Sequence, residues 1–284
     1  MIEIFHKETG AVLARLEVPA LTRADLRYLA LSGADLNGQD LSGANLASCD
    51  LAGADLRNAR LQGANLLNAN LAGADLRGAD LAGAQLGSED PTRAARLNGA
   101  DLSAAKLEGA DLRKAGARRA RLNAANLDGA DLRGIDFSGA DLGQVNARKA
   151  FFIRANLSQA NLESADLRDS HLNDANLAKA NLRGADLSSR HDDGFSVINL
   201  ANLEDADLTG ANLRNVSAQN ANLRNANLTG VDFNGAVLGG AILHHANVTD
   251  ADFTAVELAS VTMEFANFSR ARNAVVPAYK KNLR

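Results

Sequence analysis

A chain of 284 residues with a formal net charge of −4 and a sequence pI near 5.8 carries no strongly basic field of the kind that binds nucleic acid. Hydrophobic residues make up 46% of it but aromatics only 4%, with no Trp, so any core is built mostly from Ala and Leu and must be narrow and repetitive. The single Cys49 excludes an intramolecular disulfide framework and fits a reducing compartment. Glu3, Lys7, Glu8 and Arg15 interrupt what would be a signal-peptide h-region, so a soluble, cytoplasmic protein without a membrane span is expected.

Residues 2–18 read as a β-hairpin: Ile-Glu-Ile-Phe, a Gly-containing turn from His6 to Gly10, then Ala11 to Val18. From Leu21 the chain repeats every five residues. Large apolar residues fall at Leu21, Leu26 and Leu31 through Leu86. They resume one residue out of phase from Leu97 to Leu187, and slip once more to run from Ile198 to Phe268. Of these 48 centre positions, 45 are large and apolar. A small residue sits two before each centre, with Asp or Asn between, as in Ala34-Asp35-Leu36 and Ala206-Asp207-Leu208.

A period of five fits neither a helix nor a long strand. Each repeat is therefore a short extended piece and a turn, with Ala and Leu pointing in and Asp or Asn pointing out. Gly, Asn and Ser after the Leu supply the turn chemistry. Strands this rich in Asp and Asn are tolerable only when paired with copies above and below, so the pattern predicts an all-β solenoid. Val145-Asn146-Ala147 and Val216-Ser217-Ala218 swap the small and large positions and roughly conserve volume. Ala115-Gly116-Ala117 has no such compensation and predicts a local void or backbone shift.

These A(D/N)LXX repeats, running from about Leu21 to Phe268, resemble the pentapeptide-repeat protein family. The resemblance implies a right-handed quadrilateral β-helix with four repeats per coil. Counting the two interruptions as repeat positions gives about 12 coils and a rod about 60 Å long at a strand spacing of about 4.8 Å. The expected organisation is a capping hairpin at 1–19, a β-helix at 20–270 broken by loops at 87–94 and 188–196, and a C-terminal tail or cap at 271–284.

Each interruption reads as an irregular segment replacing one repeat. On that count both loops project from one face. Ser88, Glu89, Asp90, Pro91, Thr92 and Arg93 in the first, and Arg190, His191, Asp192 and Asp193 in the second, are candidate partner-binding residues. Phe151, Ile153 and Arg154 join them, because apolar residues at outward positions beside Arg are candidate anchors; local packing beneath a loop is the alternative. Val237, Ile242 and Phe265 also occupy outward positions. They are either covered by the Val275-Val276-Pro277 segment or form a homodimer contact near the C-terminal end, as some members of the family do.

No nucleophile motif, zinc spacing or phosphate-cradling loop is present, and no catalytic residue, cofactor or metal is assigned. Paired carboxylates arise here from the repeat, and His244-His245 and His191-Asp192-Asp193 read as solvated surface. The family resemblance implies a non-catalytic protein that binds a type II DNA topoisomerase, DNA gyrase or topoisomerase IV. Its well-characterised members resemble duplex DNA in outline and relieve quinolone inhibition, an antibiotic-resistance role, without binding nucleic acid directly. Charge sorting weakens the DNA-mimic part. Arg57, Arg77, Arg96, Arg118 and Arg119 share the face of Asp35, Asp55 and Asp75 on this count, while Asp101 and Asp141 fall with Asp40 and Asp80. A generic protein-interaction scaffold with another partner is the alternative.

Overall fold

The computed structural model describes residues 1–189 and 196–278. The chain forms two compact units, Met1–Val145 and Asn146–Arg284. Both are built the same way. In Ala54-Asp55-Leu56 the Ala and Leu are fully buried, the Asp55 N–H donates to Ala34 O at 2.8 Å, and the Leu56 N–H donates to Asp75 O at 2.7 Å. Asp35, Asp55 and Asp75 are thus parallel bridge partners in successive coils, four repeats apart. Between repeats the small residue's N–H closes a turn on the preceding centre, as Ala84 does on Leu81 O at 2.9 Å. The residue before it is left-handed, the requirement of a type II turn. Gly83 meets this freely at φ 63°, whereas Lys114 adopts φ 55° at a cost of about 1–2 kcal/mol, imposed by ladders on both sides.

Each unit is a stretch of right-handed quadrilateral β-helix. Its interior is stacked columns of Leu and Ala, punctuated by the fully buried Phe137, Phe152, Phe233 and Phe253. Each buried Leu contributes about 1.5–3 kcal/mol. In the first unit, strands β1 (Ile2–Phe5) and β2 (Val12–Leu16) pair antiparallel. The hairpin docks on the coil through Lys7 N–H to Gly33 O (2.9 Å) and Asp35 N–H to Phe5 O (2.8 Å). Ile4 is buried beneath it.

Two expectations need correction. The first interruption replaces no repeat. Asn70 bridges to Arg96 and Gln85 to Asp111, so Gln85 and Arg96 are outward residues of consecutive repeats. The Ala95 N–H closes on Leu86 O at 2.7 Å, as in an ordinary turn, with six extra residues extruded between. In the second unit His171 likewise bridges to Val197 and Asp186 to Asn212.

The second correction concerns Ala117. Its N–H reaches Asp136 O at 2.8 Å and the Gly116 N–H reaches Ala95 O at 3.2 Å, so the backbone is not displaced. Ile135 and Phe137, both fully buried, occupy the corresponding small and centre positions one coil on. These bulky side chains stand one coil from the small Ala117, placed to offset its volume.

Candidate partner-binding surfaces

The first loop is a built feature of the first unit. Asp90 caps a short 3-10 turn, Pro91–Arg93, accepting from Thr92 N–H at 2.9 Å and from the Thr92 hydroxyl at 2.7 Å. Pro at the first helical position after an Asp cap is the sequence signal that set this turn. Neighbouring coils hold the loop from both sides. The Asn68 N–H donates to Arg93 O at 2.7 Å, and the Ser88 N–H donates to Arg113 O at 3.0 Å. Glu89 receives the Arg113 guanidinium on its carboxylate and the Lys114 ammonium on its carbonyl. Arg113 also forks onto Asp111, and Asp131 lies 3.6 Å away.

Gly87 makes the close approach possible. A Cβ there would lie 2.0 Å from Arg113 N and 2.7 Å from Leu112 C. What faces solvent is Glu89, Asp90, Pro91, Thr92 and Arg93, with Ser88 half-buried. Of their charges, Glu89 and Asp90 are held below the usual carboxylate range by hydrogen bonds from Arg113 and Thr92 respectively. The sequence reading included Gly87 in the loop, but not the part that Gly87, Arg113 and Lys114 play in positioning it.

In the second unit, Phe151 is exposed and stands 5.3 Å, centroid to centroid, from the His171 ring one coil on. Ile153 is half-buried, and Arg154 is exposed with Asp174 at 3.9 Å. Arg190, His191, Asp192 and Asp193 lie outside the described residues. Val237 bridges to Ser217 and Ile242 to Asn222, which puts them on successive faces. Phe265 stacks on His245 at 4.9 Å and meets His244 edge-on at 5.6 Å. Val237 and Phe265 remain exposed at 48% and 58%, and Val275 at 78%, so the expected cover from the Val275 segment is not formed.

The outward columns differ between units. In the first they are largely ionic, with amide pairs such as Asn65 on Asn45. Asp25, Asp55, Asp75, Asp111 and Asp131 each receive a two-pronged bond from the Arg two residues later, as Arg77 Nε and Nη2 do on Asp75 at 2.8 and 2.6 Å. Because the interruption consumes no repeat, Asp101, Arg121 and Asp141 continue the column of Asp35, Asp55 and Asp75, while Arg96 stacks on Asn70. The face assignment made from sequence is corrected accordingly. Arg57 and Arg77 hold Asp55 and Asp75 below the usual carboxylate range. At Asp111 burial pushes upward, and the Arg113 bonds outweigh it.

In the second unit the columns are largely amide and hydroxyl. Asn267 donates to Thr249, Thr249 to Asn247, Asn247 to Thr229, Thr229 to Asn227, Asn227 to Thr209, and Thr209 to Asp207. Asn222, Asn202, Asn176 and Asn156 form a second ladder. Among the described residues no group of His, Cys, Asp and Glu could hold a metal, and no helix is long and apolar enough to cross a membrane. Cys49 is a packing residue in a small-residue column, its thiol pushed up to about 11 by burial.

Quadrilateral coils stacked on an interior mostly of Leu and Ala, with varied outward residues and an extruded loop, define a repeat solenoid that presents surface. The match to the family of pentapeptide repeats covers residues 21–58, 54–87, 95–134, 135–174, 152–188, 201–240 and 236–272, and the chain belongs to that family. Among solved structures it is similar to HetL, a pentapeptide repeat protein involved in heterocyst differentiation regulation from the cyanobacterium Nostoc sp. strain PCC 7120. Identity there is 26%, over 88% of this chain and 87% of that one, with a TM-score of 0.29. It is also similar to QnrB1, a plasmid-mediated fluoroquinolone resistance protein, at 17% identity over 81% and 92% with a TM-score of 0.36. A third, Rfr23 from the cyanobacterium Cyanothece 51142, is 25% identical over 49% and 90% with a TM-score of 0.20. No match was found among curated proteins. The family assignment rests on the repeats themselves.

Proposed function

We propose that this chain is a non-catalytic binding scaffold whose first loop engages a protein partner, and that the partner is a type II DNA topoisomerase, DNA gyrase or topoisomerase IV. The first loop carries the reading. It is held by bonds to the coils on both sides, and a loop ordered before binding loses little entropy when a partner docks. The choice of topoisomerase comes from the family resemblance and from QnrB1, a fluoroquinolone resistance protein. A cytoplasmic location accompanies it. Wholesale DNA mimicry is not part of the proposal, because the acidic columns of the first unit carry their own arginines. Phe151, Ile153, Arg154 and the second loop are further proposed contacts, and Val237, Ile242 and Phe265 a proposed homodimer contact.

The test is gyrase supercoiling with and without a quinolone. Deleting Ser88 through Arg93 leaves Gly87 and Ala94 between Leu86 and Ala95, the length of a regular turn. The intact chain should relieve inhibition and the shortened chain should not, with thermal stability retained. No binding and no relief at micromolar concentration would remove the topoisomerase. Light scattering on Val237→Asp with Ile242→Asp checks the dimer, and an unchanged mass counts against it.

A further inference from the structure

One face of the second unit departs from the Asp and Asn rule and turns apolar residues outward. Phe151, His171, Val197, Ser217 and Val237 bridge in series, so they form one column over five successive coils. At a strand spacing of about 4.8 Å the column is about 19 Å tall. Phe151 and Val237 stay 39% and 48% exposed, and Leu200, at the corner beside Val197, 59%. Leu200 is left-handed at φ 59°, where the next two corners hold Asn220 and Gly240. A bulky, exposed residue in that conformation is a local conflict that burial against a partner offsets. The last three coils of the face are also free of charge, because segments 197–200, 217–220 and 237–240 hold no Asp, Glu, Lys or Arg.

We infer that this face docks a second copy of the chain, antiparallel, about a two-fold axis at Val197. The column is complementary to itself in that arrangement. Phe151 falls on the partner's Val237, beside glycines 239 and 240, whose missing side chains leave room for a ring. His171 falls on the partner's Ser217, and Leu200 on the partner's Leu200. Charge selects both the occupant and its orientation. Arg154 and Asp174 edge the column on one side, Lys149 and Asp169 on the other. Antiparallel copies set these four on the partner's Gly240, Asn220, Gly235 and Asn215 respectively, all neutral. Parallel copies would set Arg154 on the partner's Lys149 and Asp174 on the partner's Asp169, like on like. A nucleic acid finds no cation on the three neutral coils. The inference rests on the homodimer contact proposed above, which it narrows to the face of Val237 and extends to Phe151, and not on the topoisomerase. A second copy covers Phe151, so another protein reaches that residue only when the copies part.

The experiment is analytical sedimentation of the full chain over a range of concentrations, followed by cross-linking. A monomer–dimer equilibrium that sodium chloride does not weaken is expected. Leu200→Asp and Val197→Lys should each raise the dimer dissociation constant at least about tenfold. Leu200→Asn gives the corner a residue suited to its left-handed φ, so it should weaken the dimer while raising the Tm of the monomer. Ile242→Asp alone, on the next face, should leave the dimer unchanged. Phe151→Cys and Val237→Cys, mixed, should cross-link through a bismaleimide too short to span the column, and neither should cross-link by itself; the native Cys49 is buried. A monomer at every concentration overturns the inference together with the contact it extends. Dimer loss in Ile242→Asp but not in Leu200→Asp overturns it and leaves a homodimer contact on the next face. Cross-linking of either variant with itself overturns the antiparallel arrangement.

Discussion

The two units solve one problem with different chemistry. Every coil must satisfy an outward polar residue whose equivalents stand one strand spacing above and below. The first unit uses mostly Asp with Arg, although Asn65 also bonds Asn45; the second uses mostly Asn with Thr, as in the relay from Asn267 to Asp207, although Arg168 forks onto Asp166. Like charges stacked at that spacing repel, and the first unit interleaves cations to offset them. Neutral amides stack without that penalty, because each donates to one neighbour and accepts from the other. The backbone therefore does not dictate the surface. The ionic solution ties stability to pH.

The interiors differ too, and there the largest effect is expected. In the first unit Phe137 stands one coil from the small Ala117; in the second Phe233 and Phe253 stack on each other at 5.1 Å. Phe137→Ala should cost about 3–5 kcal/mol in urea unfolding. If Phe137 does supply the volume Ala117 lacks, Ala117→Leu should recover part of the loss caused by Phe137→Leu. The same Ala117→Leu in the intact chain should destabilise by overpacking. Additive effects in the pair would break the account of volume shared between coils.

The loop bases give the next contrast. Gly87 follows Leu86 as Ser188 follows Leu187, but only Gly87 lies against a backbone that leaves no room for a Cβ. Gly87→Ala should destabilise the first unit by about 3 kcal/mol or displace the loop, whereas Ser188→Ala should stay within about 0.5 kcal/mol. Equal effects would mean that the loop does not depend on its approach to Arg113. Smaller again are the ladders themselves. Asn247→Ala removes bonds to Thr229, Thr249 and Asn267 and should cost about 1 kcal/mol. Arg77→Met, at a pair in which the Arg is half exposed, should cost less.

The sequence made the coil legible because a period of five with Ala, Asp or Asn, and Leu at fixed offsets has one structural reading. It was less informative wherever meaning depended on a neighbour twenty residues away. Whether an interruption consumes a repeat cannot be read from the segment itself; it is decided by whether Ala95 closes on Leu86, and that choice moved Asp101 and Arg96 to different faces. The placing of Phe137 one coil from Ala117 hid for the same reason, since the two are partners only once the coil length is known. Loop residues such as Asp90 and Pro91 were legible as a break in the period of five. The part that Gly87 plays was not, because its constraint comes from Arg113 on the next coil.

The subtlest difference between the units should appear on acidification. In the first unit Asp25, Asp40, Asp55, Asp75, Glu89, Asp90, Asp111 and Asp136 are held below their ordinary values, chiefly through bonds from Arg, Ser or Thr. Among the described residues of the second, Asp166, Asp207, Asp250 and Asp252 are clearly so held. A carboxyl with a depressed folded-state value stabilises the fold above its unfolded value, near 4, and that stabilisation is lost as pH falls through the folded-state value. The loss should therefore begin below about pH 4 and fall more heavily on the first unit. Hydrogen exchange read by mass spectrometry at pH 5, 4 and 3, corrected for intrinsic rates, should show protection declining in residues 21–145 while the Asn and Thr ladder of 202–267 holds. Equal decline in both would show that the ionic columns, for all their bonds, add no more acid sensitivity than the neutral ones.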